Sequence, residues 1–297
     1  MKPQPASAFS HPGTHVDPAV LIALRADMLG AENRDAGPVS AMPGGFVIKR
    51  RGNGQEVADN RIYAEGDDLR HIDRGATART GHLYIRRFHE ERDRVTLLVA
   101  DFRPSMLWGM QRAFRSVAAA EALAITGWRA VEAGERVALL ALTADGSFAV
   151  SPRGRSRGML AVIGGLARAH EAALAGPSGA RADPPLDQAL TGISRITPSG
   201  AEIVLASGLD TPGDGLADVL GDLSRRRNPR VLMIGDSILG NLPAGQYPMA
   251  VGGRRMRARV SGRGATEPRG ATLPADIPCI TLDAGGSTEA MIRTLGG

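Results

Sequence analysis

Cysteine and long apolar runs are the first things that this sequence of 297 residues lacks. Cys279 is the single cysteine, so no disulfide can form within the chain and an oxidising compartment is not implied. No apolar run reaches about 18 residues, which argues against a transmembrane helix. The first residues also lack the apolar stretch of a secretory signal. We therefore expect a cytoplasmic protein.

Complete catalytic motifs are missing as well. The sequence has no Gly-x-x-x-x-Gly-Lys phosphate loop, no His-Glu-x-x-His pair and no Gly-x-Ser-x-Gly nucleophile turn. Each of these motifs brings together the groups that its chemistry needs, and scattered residues of the same types do not replace them. The sequence therefore predicts a protein that is not an enzyme.

Arginine, in contrast, is abundant: 34 of the 36 basic residues are Arg, and the net charge is +5. Between Arg225 and Arg269 lie ten arginines, with only Asp236 and Glu267 as acids. Such a basic tail is typical of surfaces that meet anionic lipid or nucleic acid. No aromatic stacking pattern accompanies it, so a solvated basic face is the favoured interpretation and nucleic acid is not an expected partner. Lipid or nucleic-acid binding stays open as an alternative function.

Apolar strand patterns alternate with helical patterns from residue 95 onward. The predicted strands are Val95–Ala100, Arg136–Leu142, Ser147–Val150, Ile203–Ser207, Val231–Ile234 and Ile280–Leu282. The predicted helices are about Met110–Ala133, Arg157–His170, Pro185–Ile196, Leu216–Arg226 and Ser287–Leu295. Strands that are apolar throughout indicate a mostly parallel sheet with helices on both faces. The predicted fold class is therefore α/β.

The remaining chain divides by composition. Residues 1–40 form a Pro- and Gly-rich mobile arm followed by a helix, with Asp17 as N-cap, Pro18 in its first turn and Gly30 as its end. Residues 41–94 form a turn-rich segment with a short hairpin at Phe46–Ile48. Residues 95–297 form the α/β domain. Two short further strands are predicted near Met249–Val251 and Met256–Val260.

A polar segment with balanced charges, Gly66–Gly81, precedes the first buried strand. It contains three carboxylates, three guanidinium groups and one imidazole: Asp67, Asp68, Asp73, Arg70, Arg74, Arg79 and His71. Carboxylates and a histidine can hold a hard cation and activate water, so a metal-dependent hydrolase is one alternative. Pairing of these carboxylates with the neighbouring arginines, Arg61 included, in a rigid polar loop is the favoured interpretation.

The carboxyl ends of the predicted strands form the second candidate site, because open α/β sheets bind ligands there, where the strand order reverses. Asp101, Arg103 and Ser105 come directly after the first strand of the domain. Ser207 and Asp210 follow a later strand. This rim is the predicted functional surface.

The run RIYAEGDDLRHID, from Arg61 to Asp73, resembles the signature of the DUF58 family, a domain of unknown function. Thr77–Gly81 and Phe88–Glu91 extend the likeness, which runs from about residue 45 to residue 110. The family typically has tryptophan after Ile-Asp, where this chain has Arg74. The residues that carry the resemblance are Asp67, Asp68, Arg70, Asp73 and Arg79.

This resemblance implies both a fold and a role. In the family, the signature segment precedes a von Willebrand factor A-like α/β domain. The implied partners are a MoxR-type AAA+ ATPase and other von Willebrand factor A-containing proteins of the same system, which assist the assembly or maturation of other proteins. The chain would then be an interaction adaptor.

Von Willebrand factor A domains often hold Mg²⁺ through an Asp-x-Ser-x-Ser loop, a distant Thr and a distant Asp. In this chain Arg103 replaces the first Ser of the loop, residues 183–186 contain no Thr, and Gly208 stands where Asp is usual. A guanidinium beside Asp101 disfavours a divalent cation on Coulombic grounds. We therefore expect a degenerate metal site without a cofactor, in which Arg103 pairs with Asp101 or Asp210.

Overall fold

The computed structural model describes residues 13–35, 57–64, 72–88, 94–175, 183–238, 242–251, 254–260 and 273–296. The chain divides into two compact units. The sheet unit comprises Met1–Gly37 and Val95–Gly297, and the signature unit comprises Pro38–Arg94.

Ten strands and eight α-helices occur in the described residues. The strands are β1 (Val57–Ile62), β2 (Tyr84–Phe88), β3 (Val95–Asp101), β4 (Arg136–Thr143), β5 (Gly146–Gly154), β6 (Glu202–Ser207), β7 (Asn228–Gly235), β8 (Gly245–Val251), β9 (Arg254–Val260) and β10 (Cys279–Asp283). The helices are α1 (Pro18–Asp35), α2 (Arg74–Thr80), α3 (Arg115–Glu132), α4 (Arg155–Ala175), α5 (Leu186–Ala189), α6 (Ile193–Ile196), α7 (Leu216–Ser224) and α8 (Thr288–Gly296).

The sheet unit is built on a six-stranded sheet with the strand order β10-β7-β6-β3-β4-β5. Strand β5 is antiparallel to β4, and the other neighbours are parallel. Counted along the chain, these strands follow the order 3-2-1-4-5-6 of doubly wound α/β folds. The predicted α/β class with a mostly parallel sheet is confirmed. The strand order reverses between β3 and β6, so the ligand-binding position of this fold lies beyond Asp101 and Ser207.

Both faces of the sheet are covered, which explains the continuously apolar strands. In β3, Leu98 and Ala100 belong to one core cluster, which also contains residues of α1, α3, α4 and α8. Their neighbours Leu97 and Val99 belong to a second cluster with residues of α5, α6 and α7. Successive strand residues point to opposite faces, so a strand buried on both sides needs apolar residues at every position.

Helix α1 begins as the sequence predicts but ends later. The backbone N–H of Ala19 donates to Asp17 Oδ1 over 2.8 Å, so Asp17 is the N-cap. The predicted stop at Gly30 is wrong, because α1 continues to Asp35. A glycine inside a helix costs only about 1 kcal/mol relative to alanine. Leu21 and Leu24, which are almost fully buried, stabilise the helix by more than that.

Helix α3 starts five residues later than predicted, at Arg115 instead of Met110. The preceding residues form a loop whose ends are fixed by two backbone hydrogen bonds. Phe114 N–H donates to Gly13 O over 2.8 Å, and Arg115 N–H donates to Trp108 O over 2.8 Å. This loop lies beside the carboxyl end of β3.

The signature unit contains a strand pair and a helix. Strands β1 and β2 are antiparallel. The expectation of a polar loop is wrong for residues 74–80, which form α2. Asp73 Oδ1 accepts a hydrogen bond from Ala76 N–H over 2.9 Å, and Gly81, with φ of 73°, ends the helix in the left-handed conformation. The hairpin predicted at Phe46–Ile48 lies outside the described residues.

Strands β8 and β9 pair with each other in an antiparallel hairpin that forms a separate two-stranded sheet. They extend the two short strands predicted in the basic tail. Arg257 and Arg259 of β9 are exposed.

No helix in the described segments is both long enough and apolar enough to cross a bilayer.

Candidate functional site

Asp101, the last residue of β3, is fully buried at the point where the strand order reverses. Arg103 binds it as a fork: Nε donates to Oδ1 over 2.9 Å and Nη2 donates to Oδ2 over 2.7 Å. The backbone N–H of Arg103 adds a bond of 3.1 Å to Oδ1. Ser207 Oγ donates to Oδ2 over 2.6 Å. The predicted pairing of Arg103 with Asp101 is confirmed, in the bidentate geometry typical of strong Arg–carboxylate pairs.

The guanidinium of Arg103 also joins three loops at this end of the sheet. Its Nη1 donates to Pro184 O over 2.6 Å and to Thr211 O over 3.0 Å, and lies 3.6 Å from Asp183 Oδ2. These loops follow β3, precede α5 and follow β6. They are the same three loops that the von Willebrand factor A resemblance implies for metal ligands. Arg103 therefore cross-links the loop after β3 to the loop before α5 and to the loop after β6.

Arg103 carries its positive charge at ordinary pH, as arginine side chains in proteins do. Burial by itself lowers its pKa, but the hydrogen bonds and the negative charge of Asp101, with smaller contributions from Asp183 and Asp210, hold the pKa above its ordinary value. The rim thus contains a permanent positive charge with no exposed surface.

Arg115 is a second buried arginine at the rim, and the sequence analysis missed it. Its Nη1 lies 3.0 Å and 2.9 Å from the two carboxylate oxygens of Asp210. Its Nε donates to Ile234 O at the end of β7 over 2.9 Å, and its guanidinium lies 5.3 Å from the ring centroid of Trp108. Asp210 therefore pairs with Arg115, while Arg103 pairs with Asp101.

Gly208 makes room for this second arginine. A Cβ built on Gly208 would overlap Arg115 Nη2 and approach the Asp210 carboxylate. The resemblance places an aspartate at this position in metal-binding relatives. In this chain the missing side chain leaves the space that the Arg115 guanidinium fills.

Two further rim groups have incomplete hydrogen bonding among the described residues. Asp183 Oδ1 accepts from Ser105 N–H over 3.0 Å, while Asp183 Oδ2 and Ser105 Oγ are buried without a hydrogen-bond partner. Asp183 Oδ2 has only the ion pair with Arg103 at 3.6 Å. Leu209 has φ of 56°, a left-handed conformation that is costly for a leucine. Its N–H donates to Ser207 Oγ over 3.0 Å, which holds the strained loop against the site.

Asp236, at the end of β7, is another rim residue that the sequence analysis did not single out. Its carboxylate accepts from Met110 N–H over 2.9 Å and from Ile238 N–H over 3.3 Å. These bonds tie the loop before α3 to the strand next to β6. The sequence did contain a signal for Asp236, namely an acidic residue directly after an apolar strand.

The rim residues do not form a set of ligands suited to Mg²⁺. Both oxygens of Asp101 already accept hydrogen bonds from Arg103, and a guanidinium lies among the loops that would supply the other ligands. In the described parts of the chain, no group of three or more His, Cys, Asp or Glu side chains is arranged to hold a metal ion. Mg²⁺ needs several oxygen ligands that surround it. In this chain the carboxylate oxygens of Asp101 and Asp210 instead accept hydrogen bonds from Arg103 and Arg115.

Some of the signature residues are among the described residues and others are not. Asp67, Asp68, Arg70 and His71 lie outside the described residues. Asp73 is the N-cap of α2, and Arg79 lies in its last turn, where a positive charge complements the helix dipole. Both positions support the helix, which is a structural role.

The fold and the rim together define a doubly wound α/β protein in which two of its own arginines fill the place where the strand order reverses. The profile of the DUF58 family, described as proteins of unknown function, matches residues 59–249. The chain belongs to this family. The match extends well beyond the segment that carries the sequence resemblance, because it includes β3, β4, β6 and β7.

Relatives in mycobacteria are similar to part of the chain. Uncharacterized proteins of Mycobacterium tuberculosis and Mycobacterium bovis are each 34% identical to it over 127 residues. The match covers 41% of this chain and 39% of each relative, so the chain spans about two fifths of the length of these relatives.

Among solved structures, the crystal structure of the conserved hypothetical protein BatB from Bacteroides thetaiotaomicron is similar. It is 14% identical, with a TM-score of 0.39, over 68% of this chain and 97% of that chain. The assignment of the α/β fold rests on the strand order of the chain itself.

Proposed function

We propose that this chain is a non-enzymatic interaction adaptor that works with a MoxR-type AAA+ ATPase and with other von Willebrand factor A-containing proteins in the assembly or maturation of proteins. The choice of partner rests on the family resemblance, and membership of DUF58 supports it. The structural observation that carries the proposal is the arginine-filled rim. In this fold a substrate would bind beyond β3 and β6, and Arg103, with no exposed surface, fills that position.

The rim is suited to docking a folded partner. Met110 is 46% exposed in the loop between β3 and α3, and Asp214 is exposed in the loop after β6. Below them, Arg103 holds these loops through a buried ion pair with Asp101, and Arg115 through a partly buried pair with Asp210. A surface whose loops are already fixed loses little conformational freedom on binding, which favours affinity.

We also propose that docking needs no divalent cation, since Arg103 supplies the positive charge of the site. Titration calorimetry with Mg²⁺ and Mn²⁺ should show no binding up to about 1 mM, within the range of weak hard-cation sites. Binding below that concentration that disappears in Asp101→Ala would overturn the proposal.

The adaptor function is tested by capture of the ATPase from native cell extract, with identification by mass spectrometry and a repeat with the purified ATPase. Wild type should retain a MoxR-type ATPase, and Met110→Asp should retain at least about tenfold less, as expected for a central apolar contact. Ile196→Asp is the matched control, because Ile196 is similarly exposed (49%) but lies away from the rim at the end of α6.

Each outcome has a defined meaning. Equal capture by all three proteins keeps the adaptor function and excludes the rim as the interface. Absence of the ATPase from the wild-type sample, with purified components as well, rejects the adaptor function.

A further inference from the structure

Strand β5 is the edge of the six-stranded sheet nearest to α4. Within the described segments it pairs only with β4, so its outer side has no neighbouring strand. An edge strand of nine residues presents a row of backbone N–H and C=O groups to a partner. This edge is separate from the rim at Asp101 and Arg103.

A groove of about 640 Å³ runs beside this edge, between β5 and α4. Phe148 and Val150 of β5 and Gly164 and Ala167 of α4 supply apolar lining. A Cβ built on Gly164 would meet no atom within 4 Å, so the helix surface is open at that point. The groove therefore has room for side chains of another polypeptide.

The charged side chains of the groove are both positive. Arg153 and Arg168 line it, and no acidic residue does so among the described residues. The guanidinium of Arg168 lies 5.0 Å from the ring centroid of Phe148, which holds it over the apolar lining.

A register shift in β5 brings an arginine to the α4 side. Phe148 and Val150 pair with Ala141 and Leu139, and after the shift Arg153 pairs with Val137. Ala141, Leu139 and Val137 all belong to the core cluster on the α4 side of the sheet. Paired residues share a face, so the α4 side of β5 presents two apolar residues followed by a positive charge.

We propose that this groove binds an extended segment of a partner protein, in which apolar residues alternate along the chain and acidic residues flank them. The segment adds a strand to β5 through backbone hydrogen bonds. Its apolar side chains contact Phe148 and Val150, and its carboxylates pair with Arg153 and Arg168. The inference goes beyond the adaptor function at the rim and is independent of it, because none of its residues belongs to the rim.

The test uses the full chain and a fluorescein-labelled synthetic peptide in which valine and serine alternate between flanking glutamates. Fluorescence anisotropy should give saturable binding to the wild type. A peptide with lysine in place of glutamate should bind at least about tenfold more weakly, the size expected for two close charge pairs.

Gly164→Leu places a side chain in the groove, at a position where its Cβ meets no atom within 4 Å. It should weaken binding of the acidic peptide at least about tenfold. Gly221→Leu is the matched control, since Gly221 is also a helical glycine with no atom near its Cβ position, on α7. It should bind as the wild type does. Circular dichroism of both variants checks that they are folded.

The paired substitution Arg153→Glu/Arg168→Glu should reverse the preference, so that the lysine peptide binds more tightly than the acidic one. Absence of binding to the wild type, equal binding to Gly164→Leu and Gly221→Leu, or tighter binding of single-stranded DNA than of the peptide would each overturn the proposal. None of these results depends on capture of the ATPase, so failure here is distinguishable from failure of the adaptor function.

Discussion

The Arg103–Asp101 pair has no exposed surface on either side chain. Removal of two charges from water costs free energy, which such a pair regains only with good geometry and saturated hydrogen bonding. Here the fork to Asp101 and the bonds to Pro184 O and Thr211 O provide both. The pair therefore fixes the arrangement of the loops more than it adds to net stability.

This balance predicts strong coupling between the two residues. Arg103→Met leaves the Asp101 carboxylate buried and uncompensated, which should lower the free energy of unfolding by about 3–5 kcal/mol. The double variant Asp101→Leu/Arg103→Met should lose clearly less than the sum of the two single variants. Urea denaturation of the wild type, the two single variants and the double variant measures this double-mutant cycle. Additive losses would contradict the role of Arg103 as the partner of this carboxylate.

Gly208 and Arg115 give a second prediction at this scale. Gly208→Ala places a methyl group against Arg115 Nη2 and displaces the guanidinium from Asp210. Loss of a partly buried pair and of its hydrogen bonds should cost about 1–3 kcal/mol. Gly221→Ala is the control and should gain up to about 1 kcal/mol, because alanine favours the helix. Thermal unfolding of both variants measures these changes in stability. Equal midpoint temperatures for Gly208→Ala and Gly221→Ala would contradict the packing described for Gly208.

The two arginines differ in how far the sequence predicts them. Arg103 lies two residues from Asp101, so its pairing followed from local spacing. Arg115 lies 95 residues from Asp210, and only the fold brings them together. One signal was available: Arg115 begins α3, where the helix dipole disfavours a positive charge unless an acid compensates it.

At the scale of single elements, α2 shows why composition misled the sequence analysis. Its seven residues carry no apolar periodicity, so the charged segment around it resembled a loop. The caps were the usable signal, because an aspartate before the helix and a glycine after it mark both ends. Only Ala76 of α2 is buried, so the helix depends on these caps.

The role of Asp73 as the N-cap of α2 can be tested with two substitutions, one of which keeps the size and shape of the side chain. Asp73→Ala should destabilise α2 by about 1 kcal/mol, and Asp73→Asn should change its stability by only about a few tenths, since asparagine caps as well as aspartate. Faster amide hydrogen exchange of Thr77 and its neighbours in the alanine variant, with near-normal exchange in the asparagine variant, is the expected result. Equal exchange in both would contradict the capping role.

The packing of α3 against α4 contains a buried histidine. His170 is 1% exposed, and its Nε2 lies 2.9 Å from Ser116 Oγ. Burial, with a smaller effect of His15, lowers the pKa of His170 to about 4. Between pH 6.5 and 4 the unfolded chain therefore binds a proton at this position that the folded chain does not. Stability must fall as the pH decreases through this window.

At pH 4 the protonation of the unfolded chain at His170 should have lowered the free energy of unfolding by about 3 kcal/mol. His170→Gln keeps an amide near the Ser116 hydroxyl but cannot titrate, so it should remove most of the slope between pH 6.5 and 4. His82→Gln, at an exposed position, should keep the wild-type slope. Urea unfolding across this pH range measures all three, and an unchanged slope in His170→Gln would contradict the assignment.

At the scale of the whole molecule, the α/β class was predictable because the pattern of a buried strand followed by a helix repeats along the chain. Each buried strand must be apolar at every position, as in Val95–Asp101, and the helices between strands must cover both faces. The sheet edge at β5 was predictable only as a hairpin. Its groove depends on how α4 packs beside it, which no local pattern encodes.

The division into two units leads to a prediction about folding. One hydrophobic core cluster consists of residues from 16–28 and from 98 onward, and the other consists of residues from 97 onward. No described residue of the signature unit belongs to either cluster. Replacement of residues 38–94 by a flexible glycine-serine linker should therefore leave a sheet unit that unfolds cooperatively. A linker of this kind costs little closure entropy relative to the long segment that it replaces.

Deletion of residues 1–37 provides the contrast, because it removes Leu21, Leu24 and Met28 of α1 from the core. Each such side chain contributes about 1.5–3 kcal/mol, so their joint loss is comparable with the whole stability of a domain. Calorimetry should show one sharp transition for the linker variant and a broadened or absent transition for the truncated chain. A sharp transition for the truncated chain together with none for the linker variant would mean that the signature unit, and not α1, completes the fold.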